Sequence, residues 1–203
     1  MEYTATILLS YLLGSSSMSW YLSKIKKVNL RAGGSGNLGA SNAVALMGWK
    51  AGILVGVHDI GKSILAVLLA QMLFPGVEYI GAVAGVSSVL GHVFPFYLKF
   101  KGGKGFASYL GMTIALNWKL ALVILLIVVL VTLITDYIVV GTVTTVLSVP
   151  TYLGITSHSW ILAAILCIAT VVILYKHREN YVRIYNGTEL GFRGVSKGKH
   201  RVK

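Results

Sequence analysis

A glycine-rich basic segment interrupts the apolar sequence at residues 100–105, which read FKGGKG. Glycines let backbone N–H groups approach an anion closely, and successive N–H groups in such a turn form an anion-binding concavity. Lys101 and Lys104 can add positive charge to this concavity. The pattern predicts a phosphate-binding loop in which Lys104 is the strongest candidate, and the glycines that could contact a ligand are Gly102, Gly103 and Gly105.

A second polar cluster spans residues 33–42, GGSGNLGASN, in which four of the first seven residues are glycine. Its backbone donors around Gly34, the hydroxyl of Ser35 and the amides of Asn37 and Asn42 suit phosphate or hydroxyl ligands. Glycine and serine also let membrane helices approach each other, so a loop followed by a helix-packing face is the alternative. Spacing alone leaves both interpretations open.

Charged residues lie between two apolar runs at residues 58–62, HDIGK. Asp59 and Lys62 are three positions apart, so on a helix they face the same side and can pair. Ionisable groups at such depth are costly and usually face a cavity or a partner. The alternative is a pair that only orders the bundle, which would position ligand-binding residues without touching the ligand.

Two further places carry polar candidates. His92 precedes the glycine-rich segment and could transfer a proton near neutral pH, although a histidine at a helix end can equally be a hydrogen-bonded structural residue. His177, Arg178 and Asn180 recur at helical spacing around a helix end, with Glu189 beyond them, and could close over an anion. Basic anchoring of a last membrane span at the lipid headgroups is the alternative there.

The composition shows which elements must hold these clusters. Hydrophobic residues make up 56% of the chain and charged residues 12%, and the mean hydropathy is +0.77. Such a chain cannot form one small water-soluble core without leaving an apolar exterior. The sequence therefore predicts a polytopic membrane protein. Its eight apolar runs are roughly Ile7–Leu22, Ala43–Val57, Ile60–Phe74, Tyr79–Leu98, Phe106–Leu116, Leu120–Thr135, Ile138–Ile155 and Ile161–Tyr175.

Several of these runs are short, because a full crossing needs about 20 residues. The runs that flank residues 58–62, and the run Phe106–Leu116, are expected to be half-helices, tilted helices or re-entrant segments. Such pieces are tolerated where they are buried in protein or line a wet cavity. The first run has only Glu2 before it and no basic n-region, so we expect it to be a retained span.

Basic residues gather after the first apolar run, in the glycine-rich segment and after the last run. The positive-inside rule places all three groups in the cytoplasm, with the N-terminus outside and the C-terminus inside. This orientation requires an odd number of crossings, about five to seven. Because the sequence has eight apolar runs, at least one of them is expected not to cross.

The formal net charge of +12 lies in loops beside apolar runs and in the C-terminal segment. Anionic membrane phospholipid is therefore favoured over nucleic acid as the partner of this charge. Cys167 is the single cysteine, which excludes a disulfide framework, and the histidines and acids show no usual metal-ligand spacing. We expect no metal, no cofactor and no obligate protein partner.

Taken in order, the polar clusters resemble those of the acyl-phosphate-dependent glycerol-3-phosphate acyltransferases, small integral membrane enzymes that start bacterial phospholipid synthesis. The resemblance covers nearly the whole chain, and four clusters in the same order are far more specific than one motif. The matching segments are Leu13-Gly14-Ser15, residues 34–37 and 39–42, Asp59 with Lys62, Gly91-His92 with Pro95, residues 100–105, and residues 177–180 with Gly187 and Glu189.

The resemblance implies an all-α polytopic membrane fold, a bundle of about seven transmembrane or partly inserted helices with cytoplasmic motif loops in the bacterial cell membrane. Residues 1–190 would form a single integral membrane acyltransferase domain and residues 191–203 a basic cytoplasmic tail. The implied reaction transfers a fatty acyl group from acyl-phosphate to the 1-position hydroxyl of glycerol 3-phosphate. It gives lysophosphatidic acid and releases inorganic phosphate.

Both substrates of this reaction carry phosphate, and the donor brings its own leaving group, so anion binding and alignment could carry most of the catalysis. The donor phosphate could itself accept the hydroxyl proton, which leaves the need for a protein base open. The chain also lacks the His-x-x-x-x-Asp pair of acyltransferases that use acyl thioesters. A mechanism of that kind therefore loses support.

These expectations give each candidate residue a role. The catalytic set consists of four phosphate-binding residues, Ser35, Lys104, His177 and Asn180, and of His92 as the candidate for proton transfer. Acceptor orientation is assigned to Asn37 and Asn42. The remaining substrate-binding residues are Gly34, Gly102, Gly103, Gly105 and Arg178, and the supporting residues are Asp59, Lys62 and Glu189.

The chain departs from the pattern of this family at three positions. Ala45 stands where the family usually has arginine, Val139 where it commonly has serine, and Ser63 where glycine usually follows the Asp-x-x-Lys pair. The loss of one charge-assisted phosphate contact at position 45 can cost roughly 1.5 to 3 kcal/mol. Lys50 or Arg31 could substitute for it. A diverged relative with another acceptor or no activity is therefore an alternative.

A non-catalytic anion- or lipid-binding membrane protein, such as a small transporter, is the alternative from another class. A transporter would place polar groups along a pathway on both sides of the membrane midplane. The polar clusters of this chain gather instead on one inferred face. That distribution favours an enzyme.

Overall fold

The computed structural model describes residues 1–189 and 191–196. Helices account for most of these residues, and they follow the apolar runs closely enough to confirm the predicted all-helical membrane class. The chain forms two compact units. Unit 1 comprises Met1–Leu116, and unit 2 begins at Asn117.

The helices of each unit follow one another with short connections. Those of unit 1 are α1 (Glu2–Ser15), α2 (Met18–Ile25), α3 (Ala40–Met47), α4 (Trp49–Leu73), α5 (Ile80–Val93), a 3₁₀ helix (Phe96–Leu98) and α6 (Phe106–Leu116). Those of unit 2 are α7 (Trp118–Thr135), α8 (Ile138–Thr156), α9 (Trp160–Lys176), α10 (Arg178–Tyr185) and α11 (Phe192–Ser196).

Four segments of the described chain are long and apolar enough to cross a membrane by themselves. They are α4, the segment Ile80–Leu98, α7 and α8. The pair α9 and α10 passes the same test together, although the two helices are bent by 44° relative to each other, and α6 is a shorter apolar helix. The chain is therefore a multi-pass membrane protein.

Helix α4 runs without a break through Asp59 and Lys62, so the prediction of half-helices flanking residues 58–62 is wrong. Its 25 residues reach about 37 Å, which exceeds the roughly 30 Å of hydrocarbon in a bilayer. The two charges do not end the helix because they pair with each other. The chain breaks instead at Gly48, whose φ of +86° favours glycine.

This merger accounts for part of the mismatch in the number of apolar runs. Nearly all of the run Ile60–Phe74 and most of the run Ala43–Val57 belong to the single helix α4, which begins at Trp49. The first run, Ile7–Leu22, is also not one helix, because the serines at residues 15–17 interrupt it. The side chain of Ser17 accepts a hydrogen bond from the Trp20 N–H at 3.4 Å and so caps the start of α2.

Small residues let the helices of unit 1 pack closely. A Cβ on Gly14 of α1 would collide with the backbone of Ser88 on α5, and a Cβ on Gly91 of α5 would collide with the carbonyl oxygen of Tyr11. A Cβ on Gly111 of α6 would likewise strike the backbone of α4. Lipid provides no hydrophobic force between helices, so such backbone contacts are an important source of packing energy.

In unit 2, a side-chain hydrogen bond joins neighbouring helices. The Thr170 hydroxyl of α9 donates to the carbonyl oxygen of Val146 on α8 at 2.8 Å. Asp136 ends α7 with a φ of +70°, and its carboxylate accepts the Arg193 N–H at 2.8 Å. The carbonyl oxygen of Asp136 also accepts the Phe192 N–H at 2.8 Å.

The first residues of the predicted basic tail are therefore bonded to the end of α7 instead of being wholly solvated. The remainder of the tail, residues 197–203, lies outside the described residues, as does Leu190. The division into one domain of residues 1–190 and a tail of residues 191–203 stays a prediction.

We expect Gly14→Ala to lower the thermal unfolding temperature of the protein in detergent, because the new Cβ would push α1 away from α5. Overpacking of this kind costs about 1 to 3 kcal/mol. Gly61→Ala is the matched control, since a Cβ at Gly61 on α4 meets no atom within 4 Å. The control should be neutral or stabilising by up to about 1 kcal/mol. Equal unfolding temperatures for the two variants would contradict the close α1–α5 contact.

Candidate functional site

The loop before α3 is held in shape by Asn42. The two N–H groups of its side chain donate to the carbonyl oxygens of Leu30 and Asn37, each at 2.8 Å, and its Oδ1 accepts the Ser35 N–H at 2.9 Å. The side chain is buried. Because both N–H groups are used inside the loop, Asn42 shapes the loop, and its role in orienting the acceptor stays a prediction.

Ser35 and Asn37 lie at the more exposed part of the same loop. Asn37 Nδ2 donates to Ser35 Oγ at 2.8 Å, and Asn37 Oδ1 accepts the Gly39 N–H at 2.7 Å. Since Ser35 Oγ accepts this bond, its own O–H can still donate to a ligand. Gly34 has a φ of +59°, and a Cβ there would collide with Asn42 Oδ1, so glycine is required.

Arg31 joins this loop to the glycine-rich segment. Its Nη2 donates to the carbonyl oxygen of Leu98 at 3.2 Å and to that of Lys101 at 2.9 Å. Beneath it, the buried side chains of Leu30, Leu38 and Leu98 pack together. The sequence offered Arg31 as a substitute for an arginine at position 45, but the structure uses its guanidinium to brace two loops.

The glycine-rich segment is arranged differently from the predicted cradle. The Gly102 N–H donates to the carbonyl oxygen of Val93 at 3.0 Å, and the Gly103 N–H donates to that of His92 at 3.2 Å. These two amides therefore pair with backbone carbonyls. The prediction that successive N–H groups at Gly102 and Gly103 lie open to an anion is wrong for this structure.

Steric contact with the end of α5 explains the two glycines instead. A Cβ on Gly102 would collide with the carbonyl oxygen of His92, and a Cβ on Gly103 would collide with the His92 imidazole. Glycine at both positions lets the segment lie directly against His92. The assignment of Gly102 and Gly103 to the substrate site stays a prediction, but close packing is the role that the structure gives them.

His92 in turn contacts a buried ion pair on α4. Lys62 Nζ lies 2.9 Å from Asp59 Oδ1 and 3.0 Å from His92 Nδ1, and it donates to the carbonyl oxygen of Ser16 at 2.7 Å. An ammonium group has three N–H donors, and these three partners account for all of them. The predicted pairing of Asp59 and Lys62 is confirmed.

The surroundings of His92 favour a positioning role. Its Nδ1 lies 3.0 Å from Lys62 Nζ and 3.4 Å from Asp59 Oδ1, and its Nε2 faces Gly103. One ring nitrogen is therefore engaged with the buried ion pair and the other lies against the glycine-rich segment. Proton transfer by His92 stays a prediction.

Lys104 follows this anchored segment directly. It is half-buried and lies between the buried residues Gly103 and Gly105. Gly105 has a φ of +96°, which turns the chain into the first residue of α6, Phe106. The positive end of a helix dipole favours an anion there. Lys104 thus extends from an anchored backbone beside a helix N-terminus, which fits the predicted phosphate contact.

In unit 2, Glu189 connects two of the polar residues around the start of α10. Asn180 Nδ2 donates to Glu189 Oε1 at 2.5 Å, and Arg183 Nε donates to Glu189 Oε2 at 2.6 Å. His177 is buried where α9 ends and α10 begins, and its Nδ1 lies 2.8 Å from the carbonyl oxygen of Ile173. The predicted supporting role of Glu189 agrees with these contacts.

Arg178 is more exposed than its neighbours in this cluster. Its Nη1 donates to the carbonyl oxygen of Tyr175 at 3.1 Å, and its guanidinium carbon lies 4.2 Å from the centroid of the Tyr175 ring. These contacts match the anchoring alternative, in which a cation and an aromatic ring lie near the lipid headgroups. A substrate contact by Arg178 stays a prediction.

The three departures from the family pattern have different surroundings. Ser63 is fully buried, and its Oγ lies 2.9 Å from Ser88 Oγ, so the hydroxyl joins α4 to α5. Val139 is buried in the first turn of α8, and Ala45 is half-buried on α3. Lys50, the other substitute that the sequence offered, is exposed at the start of α4.

Sequence reasoning missed the roles of two residues that hold the candidate site together. Ser16 supplies the carbonyl oxygen that binds Lys62, and its Oγ lies 3.1 Å from His58 Nε2. The run of three serines inside the first apolar run was the available signal for it. Arg183 carried no such signal, because one more cation in a basic segment does not reveal its carboxylate partner. Within the described residues, no group of three His, Cys, Asp or Glu side chains could hold a metal ion.

Comparison with known proteins extends over all of these clusters. A family model described as glycerol-3-phosphate acyltransferase matches residues 4–187. The glycerol-3-phosphate acyltransferase 1 of Oceanobacillus iheyensis is 36% identical over 199 residues, which cover 93% of this chain and 94% of that protein. The matched part of this chain therefore includes every cluster from the loop before α3 to α10.

Two crystal structures of PlsY (YgiH), an integral membrane glycerol 3-phosphate acyltransferase, are similar in fold, each with 31% sequence identity. The glycerol 3-phosphate form matches 97% of this chain and 98% of its own, with a TM-score of 0.89. The lysophosphatidic acid form matches 95% of this chain and 96% of its own, with a TM-score of 0.85.

We expect Asp59→Asn or Lys62→Met alone to destabilise the protein by about 3 to 5 kcal/mol, because each leaves an unpaired buried charge. The double variant should recover most of that loss, since no charge then remains. Thermal unfolding in detergent would measure this cycle. Glu179→Gln is the control, because it breaks an exposed pair with Arg183 at 3.9 Å that is worth less than about 1 kcal/mol. An Asp59→Asn loss as small as the control's would contradict the buried pair.

Proposed function

Because the chain belongs to the glycerol-3-phosphate acyltransferase family, we propose that it transfers a fatty acyl group from acyl-phosphate to the 1-position hydroxyl of glycerol 3-phosphate. The predicted family is confirmed, and the protein is an integral membrane acyltransferase of phospholipid synthesis. The products of the proposed reaction are lysophosphatidic acid and inorganic phosphate. A relative that uses another acceptor is the competing possibility, because Ala45 lacks the usual charge.

The acceptor and product are carried over from the similar crystal structures. PlsY was crystallised in a glycerol 3-phosphate form and a lysophosphatidic acid form, and both are similar to nearly the whole of this chain. For the present chain, the same pair supports a reaction that converts one phosphate-bearing molecule into another. A site for that reaction must hold a phosphate group beside a hydroxyl group.

The observation that carries the proposal is the placement of Lys104. Its segment is tied to α5 by the amides of Gly102 and Gly103, and His92 beneath it is held by the buried pair of Asp59 and Lys62. The backbone that carries the Lys104 side chain is therefore held rigidly at the N-terminus of α6. A cation fixed in this way stabilises a phosphate group without having to reorganise when charge develops.

The proposed reaction needs little acid–base chemistry from the protein. The acceptor oxygen forms an ester bond with the acyl carbon, and the bond between that carbon and the phosphate oxygen breaks. The hydroxyl proton passes to the departing phosphate, so atoms and charge balance without a protein base. This agrees with the contact of His92 Nδ1 with Lys62. Alignment of the two substrates and binding of their phosphates are then the main contributions of the protein.

The other proposed phosphate contacts are a serine hydroxyl, an asparagine amide and a histidine ring. The Ser35 hydroxyl can donate while it accepts a bond from Asn37, and orientation of the acceptor is the proposed role of Asn37. In unit 2, Asn180 and His177 are the proposed contacts, and Glu189 holds Asn180. These assignments follow the motif order of the family.

We also propose that the N-terminus lies outside the cell and that the motif loops and C-terminus lie in the cytoplasm. The cations after α2 and those around the glycine-rich segment belong to loops that contact each other through Arg31. They therefore lie at the same end of unit 1, as the positive-inside rule requires of one membrane side.

The proposed donor can be tested by supplying palmitoyl phosphate and glycerol 3-phosphate to the purified protein in lipid. We expect lysophosphatidic acid and inorganic phosphate in equal amounts, both dependent on the acceptor. Palmitoyl-CoA in place of palmitoyl phosphate should give neither product. Phosphate without the lipid product would indicate another acceptor or hydrolysis. If lysophosphatidic acid forms from palmitoyl-CoA but not from palmitoyl phosphate, the proposed acyl-phosphate donor is wrong. The proposal that the protein is an acyltransferase would still stand.

We expect Lys104→Ala to lower the rate of acyl transfer by about 10²- to 10³-fold, the usual effect of removing one preorganised electrostatic group. The variant should stay folded, because the segment is held through backbone bonds and glycine packing. Lys26→Ala is the control for loss of one cation, since Lys26 is exposed and its side chain donates to the carbonyl oxygen of Met47 at 3.3 Å, away from the glycine-rich segment. Equal activity of the two variants would remove Lys104 from the site.

A further inference from the structure

A basic cavity of about 590 Å³ lies in unit 1 apart from the residues assigned to the reaction. This volume is within the range of about 300 to 1,000 Å³ that is typical of small-ligand sites. The cations and aromatic rings that line it are Lys24, Lys27, Arg31, Lys99, Trp20 and Tyr97. We propose that this cavity binds the phosphate group of an anionic phospholipid from the surrounding bilayer.

The charge of the cavity is not balanced within unit 1. None of the described residues that line it is acidic. The acids of unit 1 are Glu2, Asp59 and Glu78, and Asp59 is buried against Lys62. Glu2 begins α1, and the backbone of Glu78 accepts a hydrogen bond from Tyr3 near the same end, whereas the cavity lies beyond α1 at the other end. An anionic ligand would supply the missing charge.

The backbone places two of the cations in an unusual conformation. Lys27 has a φ of +54° and Lys99 a φ of +55°, a region that residues with side chains rarely occupy. Such positions cost about 1 to 3 kcal/mol and tend to persist where a site requires them. Both lysines follow the end of a short helix, and both line the cavity.

The walls of the cavity suit a lipid better than a free anion. The rings of Trp20 and Tyr97 meet edge to face at 5.6 Å, and Lys24 Nζ lies 5.8 Å from the Trp20 ring centroid. Tryptophan and tyrosine favour the depth of the lipid headgroups, and basic pockets between membrane helices bind anionic headgroups. A phospholipid could therefore place its phosphate among the lysines while its acyl chains stay in the bilayer.

The cavity is separate from the proposed reaction site within unit 1. Neither Ser35 nor Lys104 is among its lining residues. Arg31 stands between the two places, because it lines the cavity and its guanidinium also binds the carbonyl oxygen of Lys101. The lipid site does not depend on which acyl donor or acceptor the enzyme uses.

Neighbouring lysines offer a matched test by lipid binding in native mass spectrometry. The double variant Lys27→Gln/Lys99→Gln removes two cations from the cavity. The control Lys26→Gln/Lys101→Gln removes two cations from the same segments whose side chains do not line it. We expect phosphatidylglycerol to bind the wild type and the control better than phosphatidylcholine with identical chains. Binding to the cavity variant should be about 30-fold weaker, or about 2 kcal/mol at 1.4 kcal/mol per tenfold.

Three outcomes would overturn the proposal. They are equal weakening in both double variants, no preference for phosphatidylglycerol in the wild type, and displacement of the lipid by an equal concentration of inorganic phosphate. The last outcome would identify a site for free phosphate. Lys24→Gln covers the case in which the cavity variant fails to fold, because Lys24 lies within the regular helix α2. It should also weaken phosphatidylglycerol binding, and unchanged binding would count against the site.

Discussion

The contact between the Lys62 ammonium and its three partners is the interaction on which unit 1 most depends. It joins α4 to the carbonyl oxygen of Ser16 at the end of α1, to Asp59 on its own helix and to His92 near the end of α5. A charge in a membrane interior is tolerated only when its donors are satisfied. The requirement to satisfy Lys62 therefore fixes where three helices can stand relative to one another.

This constraint extends from the helices to a loop. His92 is held in place by Lys62, and the glycine-rich segment rests on the His92 ring and carbonyl group. A larger residue at position 103 would separate the segment from the ring, and the loss of the ion pair would remove what holds the ring. Lys104 therefore depends on residues that need never touch a substrate, and glycine acts here by allowing contact, not by adding flexibility.

The sequence predicted those features of the fold and site that depend on local pattern. Apolar runs located the helices, and the i, i+3 spacing of Asp59 and Lys62 predicted their pairing. Prediction from the sequence failed where the outcome depends on partners far away in the chain. Neither the use of the Gly102 and Gly103 amides by α5 carbonyls nor the unbroken course of α4 could be read from composition. The first depends on α5, and the second also depends on Ser16 and His92, which complete the partners of Lys62.

The distinction between local pattern and distant partners also separates the motif residues from the residues that hold them in position. Ser35 and Lys104 were recognisable because glycines beside polar groups form a local signature. Arg31 looked like one loop cation among several, yet it binds two carbonyl oxygens almost seventy residues away. A basic residue in a membrane protein can face lipid, substrate or backbone, and its sequence neighbours do not distinguish these. The three-dimensional partners of each residue decide its role, and they show that Arg31 braces two loops and also lines a charged cavity with Lys27 and Lys99.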